Sequence, residues 1–172
     1  MAREYASEPT DEADRGRHPG FARHEVLAGG PGSLAERSRL NEGHMADLSL
    51  LLGHRLDDVV KHDFTWEFIF SERHRLQVES LWRLVVSGRL LVTSEDHGHQ
   101  FGLPARVDCL SELRQQIIGA TIENVRVRSG TIDITLDFGS ERILEVITTS
   151  AGYEAWQVGG PDVLIVGNPG YE

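Results

Sequence analysis

The sequence has one cysteine, two methionines and no apolar run approaching the length of a membrane span. Such a span needs about 20 consecutive apolar residues, and no signal-peptide segment follows Met1, so we expect no membrane association. The single cysteine, Cys109, excludes an internal disulfide framework and is typical of a reducing cytoplasm, the compartment we expect. Cys109 directly precedes a predicted helix, where a small buried hydrophobe is a commoner role than a nucleophile.

Large apolar side chains are scarce in residues 1–44, which mix acids, arginines, glycines and prolines without periodicity. Such a segment cannot bury enough surface to offset the entropy cost of ordering. We therefore predict a disordered or weakly structured tail over 1–44. Apolar patterning begins at Met45, and residues 45–172 are long enough to form one domain with its own core.

The net charge of −10 is concentrated in the predicted domain, because residues 45–172 carry 19 acids against 11 lysines and arginines, a net of −8. An acidic surface repels nucleic acid and anionic membranes, and it attracts basic partners. A negative surface also serves solubility alone, so charge by itself does not establish a partner.

Strand-like alternation dominates the chain after a short apolar helix predicted over 46–53. Aromatic residues occupy alternate positions from Phe64 to Phe70, which is the period of a half-buried strand. Ser87-Gly88 is typical of a hairpin turn. A helix is predicted from Leu110, ending before Gly119. The remaining predicted strands cover 76–78, 81–86, 90–93, 131–136, 143–147, 153–158 and 163–166.

Four segments recur in the same order in the two halves. The matched pairs are 53–59 with 119–125, 75–78 with 143–146, 82–84 with 156–158, and 90–92 with 164–166. The pattern predicts repeat one at about 46–93, a loop at 94–109 and repeat two at about 110–167. The expected fold is α+β: one strand-rich domain made of two diverged helix-plus-β-meander repeats, whose apolar faces pack against one another.

Asp96-His97-Gly98-His99 is the cluster that most resembles a metal site. Two histidines flanking one residue can share a zinc ion, but a closed site needs four ligands and no second pair stands out. We therefore predict no metal. Because loops often carry function, Asp96, His97, His99 and Gln100 are instead predicted to contact a partner.

Tyr153 and Glu154 form the second candidate contact surface, since an exposed aromatic beside an acid suits protein binding. Trp156 matches Trp82 in the repeat, so both tryptophans are predicted to lie in the core. The glycine-rich turns at 159–161 and 167–170 lack the lysine and following helix of a phosphate-binding loop. No catalytic residue and no cofactor are predicted.

The run Gly152-Tyr-Glu-Ala-Trp-Gln157, following Gly-x-x-Ile-Glu-Asn-Val at 119–125, resembles a family of small uncharacterised bacterial domains. Proteins of this kind are similar in size and acidity to immunity proteins, which neutralise toxins by covering the active site. The resemblance implies a toxin-immunity role; together with the acidic charge and the lack of a catalytic signature, it predicts a non-enzymatic protein-binding domain with a basic protein partner. A small-molecule or metal-binding domain is the alternative, followed by a hydrolase, and the oligomeric state stays open.

Overall fold

The computed structural model describes residues 47–169, which fold into two five-stranded antiparallel sheets and one α-helix. The predicted tail over 1–44 lies outside the described residues. The strands are β1 (Leu56–Lys61), β2 (Trp66–Phe70), β3 (Arg75–Val78), β4 (Leu81–Val86), β5 (Arg89–Thr93), β6 (Asn124–Val127), β7 (Ile134–Asp137), β8 (Arg142–Ile147), β9 (Trp156–Gly160) and β10 (Val163–Gly167). The helix α1 covers Cys109–Gln116. This strand-rich arrangement is compatible with the predicted α+β class.

Each sheet combines strands from both halves of the chain. Sheet one has the order β1-β2-β3-β9-β10, and sheet two has the order β6-β7-β8-β4-β5. Sheet one contains β1, β2 and β3 of the first half and the β9–β10 hairpin of the second half. Sheet two contains β6, β7 and β8 of the second half and the β4–β5 hairpin of the first half. The two halves exchange hairpins, whereas the sequence pattern predicted two self-contained meanders.

The two halves meet at an isolated antiparallel bridge between Arg55 and Thr121, which lie at corresponding positions in the matched segments 53–59 and 119–125. The hydrogen bonds around it come in reciprocal pairs. Gly53 N donates to Ile122 O at 2.9 Å, and Gly119 N donates to Leu56 O at 2.8 Å. Likewise Leu56 N bonds Ala120 O, and Ile122 N bonds His54 O, both at 2.9 Å. Each bond is converted into its counterpart when every residue is replaced by the matching residue of the other half, 66 positions away. The two segments are therefore related by a local twofold axis at the bridge.

The two tryptophans that match in the sequence occupy matching places in the sheets. Trp82 on β4 lies opposite Val146 on β8, and Trp156 on β9 lies opposite Val78 on β3. Both side chains are buried. The first tight turns also correspond, since Glu72 and Arg73 after β2 have left-handed φ angles, as do Ser140 and Glu141 after β7.

Local sequence accounts for the helix and for the tightest hairpin. Asp108 caps α1, because its carboxylate accepts hydrogen bonds from the backbone N–H groups of Leu110 and Ser111. Ser87 and Gly88 both have positive φ, 50° and 71°, as the turn that matches strand twist requires. The predicted turn between β4 and β5 is therefore confirmed.

One continuous core lies between the inner faces of the two sheets. Trp66 and Phe68 on β2 meet Trp82 on β4 edge-on, with ring centroids 4.9 and 6.0 Å apart. Sheet one contributes the alternate residues of β2, β3 and β9, and sheet two contributes those of β4, β7 and β8. Full burial of such side chains contributes about 1.5–3 kcal/mol each.

Three sequence-based expectations require correction. The helix expected over 46–53 is a single 3₁₀ turn, Ser49–Leu51, within the described residues. Phe64 precedes its strand and is 91 % exposed, whereas the alternation had placed it on the buried face. Strands β1 and β6 escaped prediction, and in β1 the alternation is broken by a register shift between Leu56 and Asp58.

The match between the last strands also shifts by one residue. Val92 lies opposite Leu84, and Ile165 lies opposite Val158, so Val92 corresponds to Ile165. The sequence comparison had equated Val92 with Val166. A bulge in the β4–β5 pairing explains the difference, because it adds one residue, Leu91, to β5.

Within residues 47–169, no helix is long and apolar enough to cross a membrane.

Candidate protein-binding groove

A surface groove follows the seam where the chain passes from one sheet to the other. It consists of two adjoining depressions of about 400 and 240 Å³ that share Glu79, Ser80 and Thr149. Ser80 belongs to the β3–β4 crossover, and Thr149 belongs to the β8–β9 crossover. Their hydroxyl oxygens are 3.0 Å apart, and Thr149 N donates to Ser80 Oγ at 3.1 Å. The groove therefore has a floor fixed by both halves of the chain.

The two crossovers differ in length, and this difference shapes the groove. Two residues separate β3 from β4, whereas eight separate β8 from β9. The longer crossover carries Tyr153 and Glu154, which line the smaller depression and have no counterpart in the first half. The element that distinguishes the two halves thus supplies one wall of the groove.

The groove is acidic. Its carboxylates are Asp63, Glu79, Glu95 and Glu154, and its one lysine is Lys61. Lys61 is already engaged, since its Nζ donates to the carbonyl oxygens of His62 and Asp63 and lies 5.5 Å from the centre of the Trp66 ring. None of the four carboxylates forms an ion pair with another described residue. Four negative charges and one positive charge therefore give the groove a net charge of −3.

An exposed aromatic side chain lies in each depression. Phe64 is 91 % exposed in the larger depression, and Tyr153 is 78 % exposed in the smaller one. Exposed aromatics in a concave surface are typical anchors for a protein partner, because they bury a large area at low entropy cost.

The loop predicted to contact a partner lies beside the groove without lining it. The Asp96 carboxylate accepts from Thr93 N at 2.8 Å as part of a capping box. His97 accepts a hydrogen bond from Cys109 N at 3.2 Å and packs edge-on against Trp66. His99 stacks on Phe101 at 5.5 Å, and Gln100 Nε2 donates to Leu103 O. Of the predicted contact residues, only Tyr153 and Glu154 line the groove.

The metal-site alternative finds no geometric support within the described residues. No group of three or more His, Cys, Asp or Glu side chains is placed to hold an ion there. His97 already uses a ring nitrogen to hold the start of α1.

Cys109 is placed as a structural residue. It is fully buried, and its Sγ donates to Thr93 O at 3.2 Å. Burial raises the pKa of its thiol to about 12, and the negative charges of Asp96 and Asp108 add to the shift. Because the thiolate is the nucleophilic form, this environment opposes catalysis by Cys109.

A separate depression, of about 460 Å³, lies on the outer face of sheet two. It is lined by three arginines, but two of them are paired with its own carboxylates. Arg83 Nε lies 2.6 Å from Glu145 Oε2, and Arg128 Nη1 lies 3.8 Å from Asp133 Oδ2. Its charge is therefore nearly balanced, unlike that of the acidic groove.

No sequence pattern indicated that Asp63, Phe64, Glu79 and Glu95 would line the groove. They come from three separate segments of the chain, and three of them are acids that nothing in the sequence distinguishes from other surface acids. The sequence does contain a signal for the longer crossover that forms one wall of the groove. The difference in residue number between matching residues rises from 68 for Val78 and Val146 to 74 for Trp82 and Trp156. That rise places an insertion of six residues in the β8–β9 crossover.

Comparison of the chain with protein-family models, curated proteins and solved structures found no match in any of the three.

Proposed function

We propose that this protein is a non-enzymatic binding domain that captures a basic surface of a partner protein in its acidic groove. The observation that carries the proposal is the combination of four carboxylates without ion pairs and two exposed aromatics along one seam. Acids without ion pairs supply attraction and selectivity, and the aromatics supply contact area.

The charge of the groove fits a basic partner better than a neutral one. Two opposite charges 4 Å apart at a protein surface attract by about 4 kcal/mol before desolvation is subtracted. Much of this interaction accelerates encounter, since steering extends over the screening length of about 8 Å at physiological ionic strength. We therefore expect association to slow with added salt while dissociation changes less.

The biological role that we propose is toxin immunity, acting in the cytoplasm. An immunity protein must cover an active site, and toxins that act on nucleic acids have basic active-site surfaces. An acidic groove with aromatic anchors is complementary to such a surface. The resemblance of the Gly152–Gln157 segment to a family with immunity-like features points to the same role.

The test is co-expression with any toxin that the genes adjacent to this one encode. We expect the wild-type chain to protect the cells and to bind the purified toxin with one-to-one stoichiometry. Glu79→Lys, which reverses a charge shared by both depressions, should slow association about tenfold or more. Phe64→Ala should instead accelerate dissociation, because it removes contact area without changing charge.

Glu141→Lys is the matched control, because it makes the same charge change at an exposed residue of the β7–β8 turn. It should leave both rates close to those of the wild type. Absence of binding and of protection would refute the immunity role. Full protection by both groove variants would show that the partner binds elsewhere.

We also propose that the two halves arose by duplication of one ancestral unit. The reciprocal hydrogen bonds around Arg55 and Thr121 support this, as do the shared strand order and the matching surroundings of Trp82 and Trp156. An alignment of related sequences provides the check. Similarity between the halves should peak at offsets of 66, 68 and 74, and a maximum at another offset would contradict common ancestry.

A further inference from the structure

The turn after β1 and the turn after β6 correspond in the two halves. The first has four residues, 62–65, and the second has six, 128–133. In the first turn His62 N donates to Thr65 O at 2.9 Å. In the second turn Arg128 N donates to Asp133 O at 2.8 Å. The same backbone bond therefore closes both turns, so their contents can be compared residue by residue.

Phe64 and Ile132 occupy matching places, each two residues before the next strand, but they have opposite surroundings. Ile132 packs against the core, and its carbonyl oxygen accepts from Trp156 Nε1 at 2.9 Å. Phe64 is 91 % exposed, and the buried indole N–H of Trp82 has no hydrogen-bond partner among the described residues. Because Trp82 is the counterpart of Trp156, the second half makes two contacts that the first half does not make.

Lys61 is the chemical difference between the two turns. It lies opposite Trp66 in the β1–β2 pairing, at the position that Val127 occupies in the β6–β7 pairing. The Lys61 Nζ donates to His62 O at 3.3 Å and to Asp63 O at 2.7 Å, and both carbonyl groups belong to the turn. It also lies 5.5 Å from the centre of the Trp66 ring. Val127 has no donor that could form such bonds.

Lys61 is the one lysine of the chain, and it lies in the acidic groove. A cation at this place weakens the attraction of a basic partner, so charge complementarity does not explain it. We propose that Lys61 is a positioning residue, which holds the turn after β1 open and keeps Phe64 exposed in the groove. Without Lys61 the turn closes. The Phe64 ring then packs against the core, and the Phe64 carbonyl oxygen accepts a hydrogen bond from Trp82 Nε1.

The lysine decides the balance between the two states of the turn. Trp66 meets Trp82 edge-on at 4.9 Å, and the Lys61 ammonium lies over the same Trp66 ring. Closing the turn buries a phenylalanine and gives a partner to a buried N–H donor, which both favour closure. Closing also breaks the two ammonium hydrogen bonds, and charged donors bond carbonyl groups more strongly than neutral donors do. Only the consequence for partner binding rests on the proposed function.

The experiment measures the burial of Phe64 in the free full chain, with and without the lysine. Phe64→Ala should leave the urea midpoint of the wild type nearly unchanged, because the side chain is exposed. In a Lys61→Val background, which introduces the residue of the matching turn, Phe64→Ala should lower the midpoint by about 1 M or more, because it truncates a buried ring. Lys61→Arg is the matched control, since it keeps the charge and the N–H donors, and there Phe64→Ala should again have little effect.

Nuclear magnetic resonance of the tryptophan indoles gives a second measurement. In Lys61→Val the indole proton of Trp82 should shift downfield, because it gains a hydrogen bond. The Phe64 ring should show nuclear Overhauser contacts with Trp82 in this variant and none in the wild type or in Lys61→Arg.

Three outcomes overturn the proposal. Equal effects of Phe64→Ala in the wild type and in Lys61→Val, with no shift of the Trp82 proton, would show that the turn has one state. A large effect in the wild type would show that the turn is already closed, and a large effect in Lys61→Arg would show that the charge does not hold it open. If Lys61→Val fails to fold, Lys61→Met replaces it under the same criteria. Because no partner enters these measurements, their result is separate from that of the binding test.

Discussion

Replacing each of the two equivalent tryptophans with phenylalanine should have unequal costs, although both occupy matching positions. Trp156 Nε1 donates to Ile132 O at 2.9 Å. Trp82 Nε1 is buried without a hydrogen-bond partner among the described residues. Both side chains are almost fully buried, so the packing lost with the smaller ring is similar at the two sites.

The difference between the variants therefore isolates the indole N–H. Trp156→Phe removes a hydrogen bond that contributes about 1 kcal/mol to the free energy of unfolding. Trp82→Phe removes a buried N–H donor that has no hydrogen bond to compensate for its loss of contact with water. Removing it offsets the loss in the free energy of unfolding by about 1–3 kcal/mol. We expect Trp156→Phe to be more destabilising than Trp82→Phe by about 2–4 kcal/mol.

Urea unfolding followed by far-ultraviolet circular dichroism measures both variants, because each substitution alters the tryptophan fluorescence. The two should unfold with the same dependence on urea, so that midpoints report stability directly. Equal costs within about 0.5 kcal/mol, or a larger cost for Trp82→Phe, would refute the reasoning. Such a result would mean that the Trp82 N–H is satisfied, or that the packing losses differ.

Two further predictions concern the region around α1. Because the folded-state pKa of the Cys109 thiol is raised from 9.0 to about 12, the unfolded chain releases its proton first. The free energy of unfolding of the wild type should consequently fall, relative to that of Cys109→Ala, as the pH rises from 9 to about 12. Urea midpoints at several pH values will measure this difference. Parallel pH profiles for the two proteins would contradict the raised pKa of the Cys109 thiol. The chelator EDTA should leave the thermal midpoint unchanged, because the His97 and His99 loop is held by hydrogen bonding and stacking; a lower midpoint restored by zinc would contradict this.

The sequence by itself determined several of the local elements and indicated matching segments in the two halves. Alternation placed Trp66, Phe68 and Phe70 on one buried face, because the side-chain period of a strand is two. The helix α1 followed from apolar residues at helical spacing. Matching Trp82 with Trp156 identified positions that prove equivalent in the sheets. These features depend on neighbours in the chain, which is why a pattern can encode them.

Only the tertiary structure decided how the hairpins are shared between the sheets. A strand's own sequence specifies which face is buried, but any antiparallel neighbour with a complementary apolar face can satisfy it. The choice depends on how the whole core closes, and here it exchanges β4–β5 for β9–β10. The groove has the same origin, since Phe64, Glu79, Glu95 and Tyr153 converge only because both crossovers lie along one seam. Surface residues carry no periodic constraint, so their meeting point is set by the paths of the buried strands that connect them.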